Sequence, residues 1–262
     1  MLRNMTIGSY YPTDSPIHRL DPRIKLIAVV VFLVSLFLFD GFIGYIIVTV
    51  FTVGVIALSK VPVSHIFKGL RAIIFLLIFT SFFNIFFTDG EVLWQWQFIK
   101  ITYEGLLKAL YMAMRLVYLI IGSSMLTYTT SPGELTEGIA SLFGWLRVFK
   151  IHVDDFAMMM SLALRFIPIL LGEMNRIMEA QTARGANIDS GGIVKKMRSM
   201  VSIIVPLFIS ATRRAYDLGL AMEARCYGCG KKRTKLKPLH LRLTDLLMVP
   251  LMAVYVVLIV VV

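Results

Sequence analysis

The chain has 262 residues, of which 58% are hydrophobic and 16% charged, and its mean hydropathy is +0.78. Soluble domains are about 45–50% apolar and about 25% charged, so this composition excludes an ordinary soluble globular protein and favours a membrane protein. The formal net charge is +11. Such an excess is typical of a nucleic-acid-binding surface or of the cytoplasmic loops of a membrane protein.

Three apolar segments are predicted in the first third of the chain. Asp21 and Pro22 suit the N-cap and the first position of a helix, which continues as an uncharged segment over residues 26–39. A second uncharged segment covers residues 42–59, and a third covers residues 72–88. The three segments have 14, 18 and 17 residues, near or below the lower limit of the roughly 17–25 residues that cross a bilayer, and we predict three membrane spans.

Two further spans are predicted at residues 105–128 and 246–262. The first contains Lys108 and Arg115, which are seven residues apart and therefore lie on nearly the same face of a helix. Because charges at membrane depth are costly, that face is expected to contact protein, water or lipid headgroups. The predicted fold class is all-α, a polytopic membrane protein with about five transmembrane helices.

The distribution of basic residues predicts the orientation. Residues 129–242 contain 17 of the 27 Lys and Arg residues and nine acidic residues, which is +8 of the total charge. By the positive-inside rule this segment and the N-terminal residues 1–23 are cytoplasmic. The first four transmembrane helices then lie within residues 24–128 and the last within residues 243–262. This topology accounts for the charge without nucleic acid, for which the sequence has no binding motif.

The cytoplasmic segment contains two long stretches with charged residues along one side, at residues 156–184 and 202–225. Each has a proline in its apolar half, Pro168 or Pro206, which is expected to bend the helix. The charges extend over some twenty residues, roughly 30 Å, as is typical of an amphipathic helix at the membrane surface. Alternatively, both stretches are additional spans whose arginines reach the headgroups.

Each stretch ends in a small residue, an arginine and another small residue. An arginine between small neighbours is accessible, and its planar guanidinium matches carboxylates and backbone carbonyls, so these ends suit docking to partner proteins. For either arginine alone, a contact with the helix C-terminal dipole is an equally good explanation, but the repetition favours docking. The six residues are Ala183, Arg184, Gly185, Ala224, Arg225 and Cys226.

The sequence has no recognisable catalytic or metal-binding pattern. It contains no G-x-x-x-x-G-K-[ST] phosphate loop and no G-x-S-x-G motif, and its histidines lack metal-ligand spacing. Cys226 and Cys229 form a single C-x-x-C without the second ligand pair of a closed zinc site. We therefore predict no catalytic residue, metal or cofactor in this chain, and any ATP hydrolysis would have to come from another protein.

Residues 8–25 and the two arginine motifs resemble the transmembrane T component of energy-coupling-factor (ECF) transporters, although Cys226 stands where glycine is common. The resemblance implies a scaffold in a prokaryotic plasma membrane, with a cytoplasmic N-terminus, that functions in vitamin or micronutrient uptake. It would join two cytoplasmic ABC-type ATPase subunits, which bind the ATP and magnesium, to a membrane-embedded substrate-binding S component. Residues 156–184 and 202–225 would be coupling helices, with Arg184 and Arg225 each docked on an ATPase subunit.

A methionine-rich surface on the first coupling helix would suit the S component or another moving partner, because methionine side chains adapt to different surfaces. Ordinary apolar packing explains these residues equally well. They are Met158, Met159, Met160, Met174 and Met178.

The alternative function is that of an autonomous secondary carrier or a membrane enzyme. In that case Lys108 and Arg115 would line a polar path through the membrane. This hypothesis requires that the chain alone binds or turns over a substrate.

Overall fold

A computed structural model describes residues 10–39, 41–71, 73–88, 92–96, 99–150, 152–185, 192–227 and 242–261. This part of the chain is almost entirely helical, which confirms the predicted all-α polytopic fold class. The helices are α1 (Pro22–Ser35), α2 (Phe42–Ser59), α3 (Val63–Arg71), α4 (Ile74–Phe87), α5 (Tyr103–Thr129), α6 (Pro132–Leu142), α7 (Val153–Ala183), α8 (Ile193–Ala224) and α9 (Leu243–Val261). A 3₁₀ helix at Phe143–Phe149 and two antiparallel strands, β1 (Val92–Trp96) and β2 (Ile99–Thr102), complete the list.

Four helices in the described part of the chain are long and apolar enough to cross a membrane: α2, α5, α7 and residues 244–261 of α9. The pair α3 and α4, bent by 58° at a break, adds a fifth if it forms one span. With that pair counted as one span, the number equals the predicted five, but the members differ. With 14 residues, or about 21 Å, α1 is shorter than the hydrocarbon core, whereas the predicted amphipathic helix α7 meets the criteria.

Helix α1 begins as predicted. The carboxylate of Asp21 accepts a hydrogen bond from the backbone N–H of Arg23 at 2.9 Å, and Pro22 is the first helical residue. This arrangement satisfies one of the N–H groups that a helix start leaves without a partner, and proline gives up an N–H that would otherwise be unpaired. Residues 8 and 9 of the N-terminal motif lie outside the described residues.

The two predicted coupling helices are longer than their sequence patterns indicated. Helix α7 begins three residues before residue 156, and α8 begins nine residues before residue 202. Three of the four residues at 195–198 are basic, so the apolar periodicity of α8 becomes visible only after them. Pro168 and Pro206 both lie inside these helices.

The chain divides into two compact units. Unit 1 comprises Met1–Asp154 and Leu239–Val262, and unit 2 comprises Asp155–Pro238. Unit 1 therefore contains α1 to α6 and α9, while unit 2 contains α8 and all but the first two residues of α7.

An aromatic cluster forms the main core of unit 1. The Phe32 ring of α1 stacks with Phe51 of α2 and Tyr255 of α9, and the Tyr255 hydroxyl forms a 2.8 Å hydrogen bond with Ser35. A Cβ atom at Gly122 of α5 would lie 2.6 Å from the Phe32 ring. Only glycine therefore allows α5 to approach α1 this closely, as is common between membrane helices.

A buried polar cluster connects helix ends in unit 1. The carboxylate of Asp245, in the first turn of α9, accepts hydrogen bonds from the backbone N–H groups of Asp21 at 2.8 Å and Arg242 at 2.7 Å. The ammonium of Lys25 donates to the carbonyl oxygens of His18 and Thr129, each at 3.0 Å. Because unpaired buried charges are costly, these bonds hold α1, α5 and α9 in one arrangement.

Candidate partner-docking site

The end of α7 places Arg184 just beyond the last helical residue, Ala183. The backbone N–H of Arg184 donates to the carbonyls of Ala180 and Gln181 at 3.2 and 3.1 Å. Gly185 follows with φ +85°, in the left-handed region that favours glycine. The chain therefore turns sharply after Arg184, and all three residues from 183 to 185 are exposed.

The end of α8 has the same design. Arg225 is the C-cap after Ala224, and Cys226 follows with φ +55°. The N–H of Cys226 donates to Glu223 O at 2.8 Å, and the N–H of Tyr227 donates to Met222 O at 2.9 Å. These two bonds form a Schellman cap, which normally has glycine at the left-handed position. The structure thus gives both arginine motifs an exposed arginine followed by a left-handed residue.

Both arginines are available to a partner. Arg184 and Arg225 are exposed, and neither forms an ion pair with any residue in the described ranges. A cation at a helix C-terminus gains about 0.3–1 kcal/mol from the helix dipole, which accounts for the charge but not for its repetition. A guanidinium with five free N–H donors can bind carboxylates and carbonyls on another protein.

An ion pair joins the two helices ahead of these ends. A carboxylate oxygen of Glu173 on α7 lies 2.5 Å from a guanidinium nitrogen of Arg214 on α8. Both residues lie within the two stretches whose charged sides were predicted from the sequence, but the sequence did not predict that they pair. The signal that was missed is their equal spacing from the terminal arginines, eleven residues in each helix.

The five methionines of α7 do not share one face. At about 100° per residue, the consecutive Met158, Met159 and Met160 spread over about 200° of the helix. Met160 does lie on the same side as Met174 and Met178. Met159 and Met160 are exposed and the other three are partly buried. A partner surface on this helix would therefore contact only some of the five.

Lys108 and Arg115 form different contacts along α5. Arg115 donates a hydrogen bond to the carbonyl oxygen of Phe39 at 3.2 Å, and its guanidinium carbon lies 5.4 Å from the centre of the Phe37 ring. Lys108 is exposed. Arg115 thus holds the chain that follows α1, a structural role, and the structure gives no support to a polar path along these residues.

A pocket in unit 1 offers little chemistry. It has about 630 Å³ of empty volume, part of it open to solvent, and α1, α2, α5 and α9 line it. Its one charged lining residue is Lys25, which already binds two carbonyl groups. The described residues contain no group of three or more His, Cys, Asp or Glu residues that could hold a metal ion. Cys226 is a free, exposed thiol, and Cys229 lies outside the described residues.

Comparison with known proteins covers nearly the whole chain. The family model CbiQ, described as cobalt transport protein, matches residues 13–236. Three similar proteins are each named energy-coupling factor transporter transmembrane protein EcfT. The Clostridium kluyveri protein is 48% identical over 94% of this chain and 92% of its own length. The Ruminiclostridium cellulolyticum protein is 44% identical over 97% of this chain and 96% of its own length. The Bacillus subtilis protein is 42% identical over 91% of this chain and 91% of its own length.

Proposed function

Because this chain belongs to the CbiQ/EcfT family of energy-coupling factor transporter transmembrane proteins, we propose that it is the energy-coupling scaffold of its transporter. In this role it links two cytoplasmic ABC-type ATPase subunits to a membrane-embedded substrate-binding S component. Motion driven by ATP passes through α7 and α8 to the S component during uptake of a vitamin or micronutrient. The transporter lies in the plasma membrane of a prokaryote, with the N-terminus of this chain in the cytoplasm.

The observation that carries this proposal is the shared geometry of the two helix ends. Arg184 and Arg225 are exposed, unpaired within the described residues, and followed by a left-handed residue that turns the chain away. Two equivalent docking ends fit two ATPase subunits of similar structure. Each guanidinium would bind carboxylates or carbonyl oxygens in a groove of one subunit.

The same proposal assigns all catalysis to the partners. ATP and magnesium bind to the ATPase subunits, and this chain contributes positioning and force. The exposed apolar surfaces of α7, including Met159 and Met160, would contact the S component or the bilayer. The purified chain alone is accordingly expected to hydrolyse no ATP.

Charge reversal at the two arginines tests the proposal. In cells that co-express the ATPase subunits, Arg184→Glu and Arg225→Glu should each reduce the amount of ATPase that co-purifies with this chain, and the double variant should abolish it. Both helix ends are exposed, so the variants should still insert into the membrane fraction. Arg213→Glu, an exposed arginine of α8 outside the motif, is the matched control and should retain the ATPase. Full ATPase retention by the double variant would refute the docking role.

A further inference from the structure

Helices α7 and α8 are joined in unit 2 by a contact that is polar. Glu173 and Arg214 pair at 2.5 Å. The side chains of Glu173 and Arg214 are 24% and 42% exposed. Among the described residues of unit 2, Ile203 is the only buried apolar side chain. Among the described residues of unit 2, no apolar core fixes how the two helices meet.

The ion pair lies at the same distance from the terminal arginine in each of the two helices. Glu173 precedes Arg184 by eleven residues, and Arg214 precedes Arg225 by the same number. Eleven residues correspond to three helical turns, or about 16 Å. Helices α7 and α8 continue without a break from the pair to residues 183 and 224. The two arginines thus end two continuous arms of equal length that start at one contact.

We propose that Glu173 and Arg214 are positioning residues, the pivot that sets the distance between the two arginine-bearing helix ends. This inference rests on the proposed docking function, since the distance matters because two ATPase subunits hold the ends. When the ATPase subunits approach each other, the arms turn about the pivot, and the contact transmits the motion of each arm to the other. A carboxylate and a guanidinium suit a pivot because the attraction between opposite charges depends on their distance and does not require the interlocked packing of apolar side chains.

Loss of the pivot should change the spacing of the two helix ends more than the stability of the chain. Exposed ion pairs add little to the free energy of folding, so loss of this one should leave the chain folded. A like charge at either position would instead push the helices apart at the point where they meet. Exchange of the two charges should restore the attraction, because the pair would again have opposite signs.

The distance between the arms gives a direct test. Nitroxide-bearing non-canonical amino acids placed at Ala180 and Ala221, both exposed and each four residues before its arginine, report that distance by pulsed dipolar spectroscopy. The sample is the full chain purified with its ATPase subunits, measured without nucleotide and with ATP plus vanadate. The variants are Glu173→Arg, Arg214→Glu and the exchange of both charges. The controls are Glu179→Arg and Arg213→Glu, which change the same charges on the same helices outside the pair.

We expect one narrow distance in the wild-type complex, which shifts on addition of nucleotide. Each single variant should broaden the distribution and lose the nucleotide-dependent shift, while the charge exchange restores both and the controls match the wild type. The pivot would be overturned if the single variants had the same distance distribution as the wild type. It would also be overturned if the charge-exchange variant had a distribution as broad as those of the single variants. If the wild-type chain retains no ATPase, the docking proposal fails, and the nucleotide-free distances of the chain alone still decide whether Glu173 and Arg214 set the arm spacing.

Discussion

Units 1 and 2 are both strongly apolar, but they use their apolar residues differently. In unit 1, aromatic and aliphatic side chains of α1, α2 and α9 form a buried core around Phe32. In unit 2, Ile203 is the only buried apolar side chain among the described residues, although α7 and α8 have 31 and 32 residues. Unit 1 is stabilised by its own packing. The described helices of unit 2 expose apolar surface, which is typical of contact with lipid or with a partner protein.

This difference is what we expect if the chain is the coupling scaffold that we propose. A bundle held by its own core keeps its shape while the protein works. Helices that bury little apolar surface within their own chain lose few packing contacts when they move or change partners. We therefore expect equivalent substitutions to reduce stability strongly in unit 1 and weakly in unit 2.

The largest expected contrast is between two phenylalanines. Phe32 is 6% exposed and stacks with Phe51 and Tyr255, whereas Phe208 of α8 is 67% exposed. Phe32→Ala should lower the free energy of unfolding by about 3–5 kcal/mol through the cavity it leaves, and Phe208→Ala by less than about 0.5 kcal/mol. Unfolding of the purified chain in mild detergent measures both values. Equal losses would mean that unit 2 has a core of its own.

A smaller contrast is expected between two aspartates. Asp245 is buried and accepts hydrogen bonds from the backbone N–H groups of Asp21 and Arg242, whereas Asp217 of α8 is exposed. Asp245→Asn removes a buried negative charge and one strong acceptor, which should cost about 2 kcal/mol. Asp217→Asn should cost less than about 0.5 kcal/mol. The same detergent unfolding assay compares them, and a negligible effect of Asp245→Asn would show that the polar cluster does not hold unit 1 together.

The smallest expected effects distinguish the two helix ends within unit 2. Gly185 and Cys226 both occupy the left-handed region, where a side chain costs roughly 1 kcal/mol. Gly185→Ala should therefore weaken the last turn of α7 by about that amount, and Cys226→Gly should strengthen the last turn of α8 by a similar or smaller amount. Hydrogen exchange of the amides at these ends measures both changes. Effects of the same sign would contradict the equivalence of the two caps.

Local signals predicted the individual helices well. Asp21 and Pro22 start α1 as expected, and α2 has the predicted bounds, because caps and uncharged segments act through neighbouring residues alone. Two boundaries were less predictable. The segment at 72–88 is joined to α3 by a bend, and α8 begins within a basic stretch whose charges mask the helical period.

The sequence pattern singled out the residues of the candidate site but not their geometry. The repeated small-Arg-small pattern drew attention to Arg184 and Arg225, and the structure shows that each precedes a left-handed turn. The pairing of Glu173 with Arg214 links residues about forty positions apart, which periodicity within one helix cannot show. The separation of the methionines around α7 could have been anticipated, since three consecutive residues never share one helical face.

The sequence alone determined the membrane class, the positions of most helices and the two arginine-bearing ends, because composition, capping and period are local properties. Only the tertiary structure decided which apolar helices have a core. Helices α5 and α7 have similar apolar content, yet Gly122 lets α5 pack against Phe32, while Val153 is the only buried residue of α7 among the described residues and Glu173 pairs with Arg214 of α8. Burial depends on which helix surfaces meet in space. The meeting surfaces are in turn determined by contacts between residues far apart in the chain.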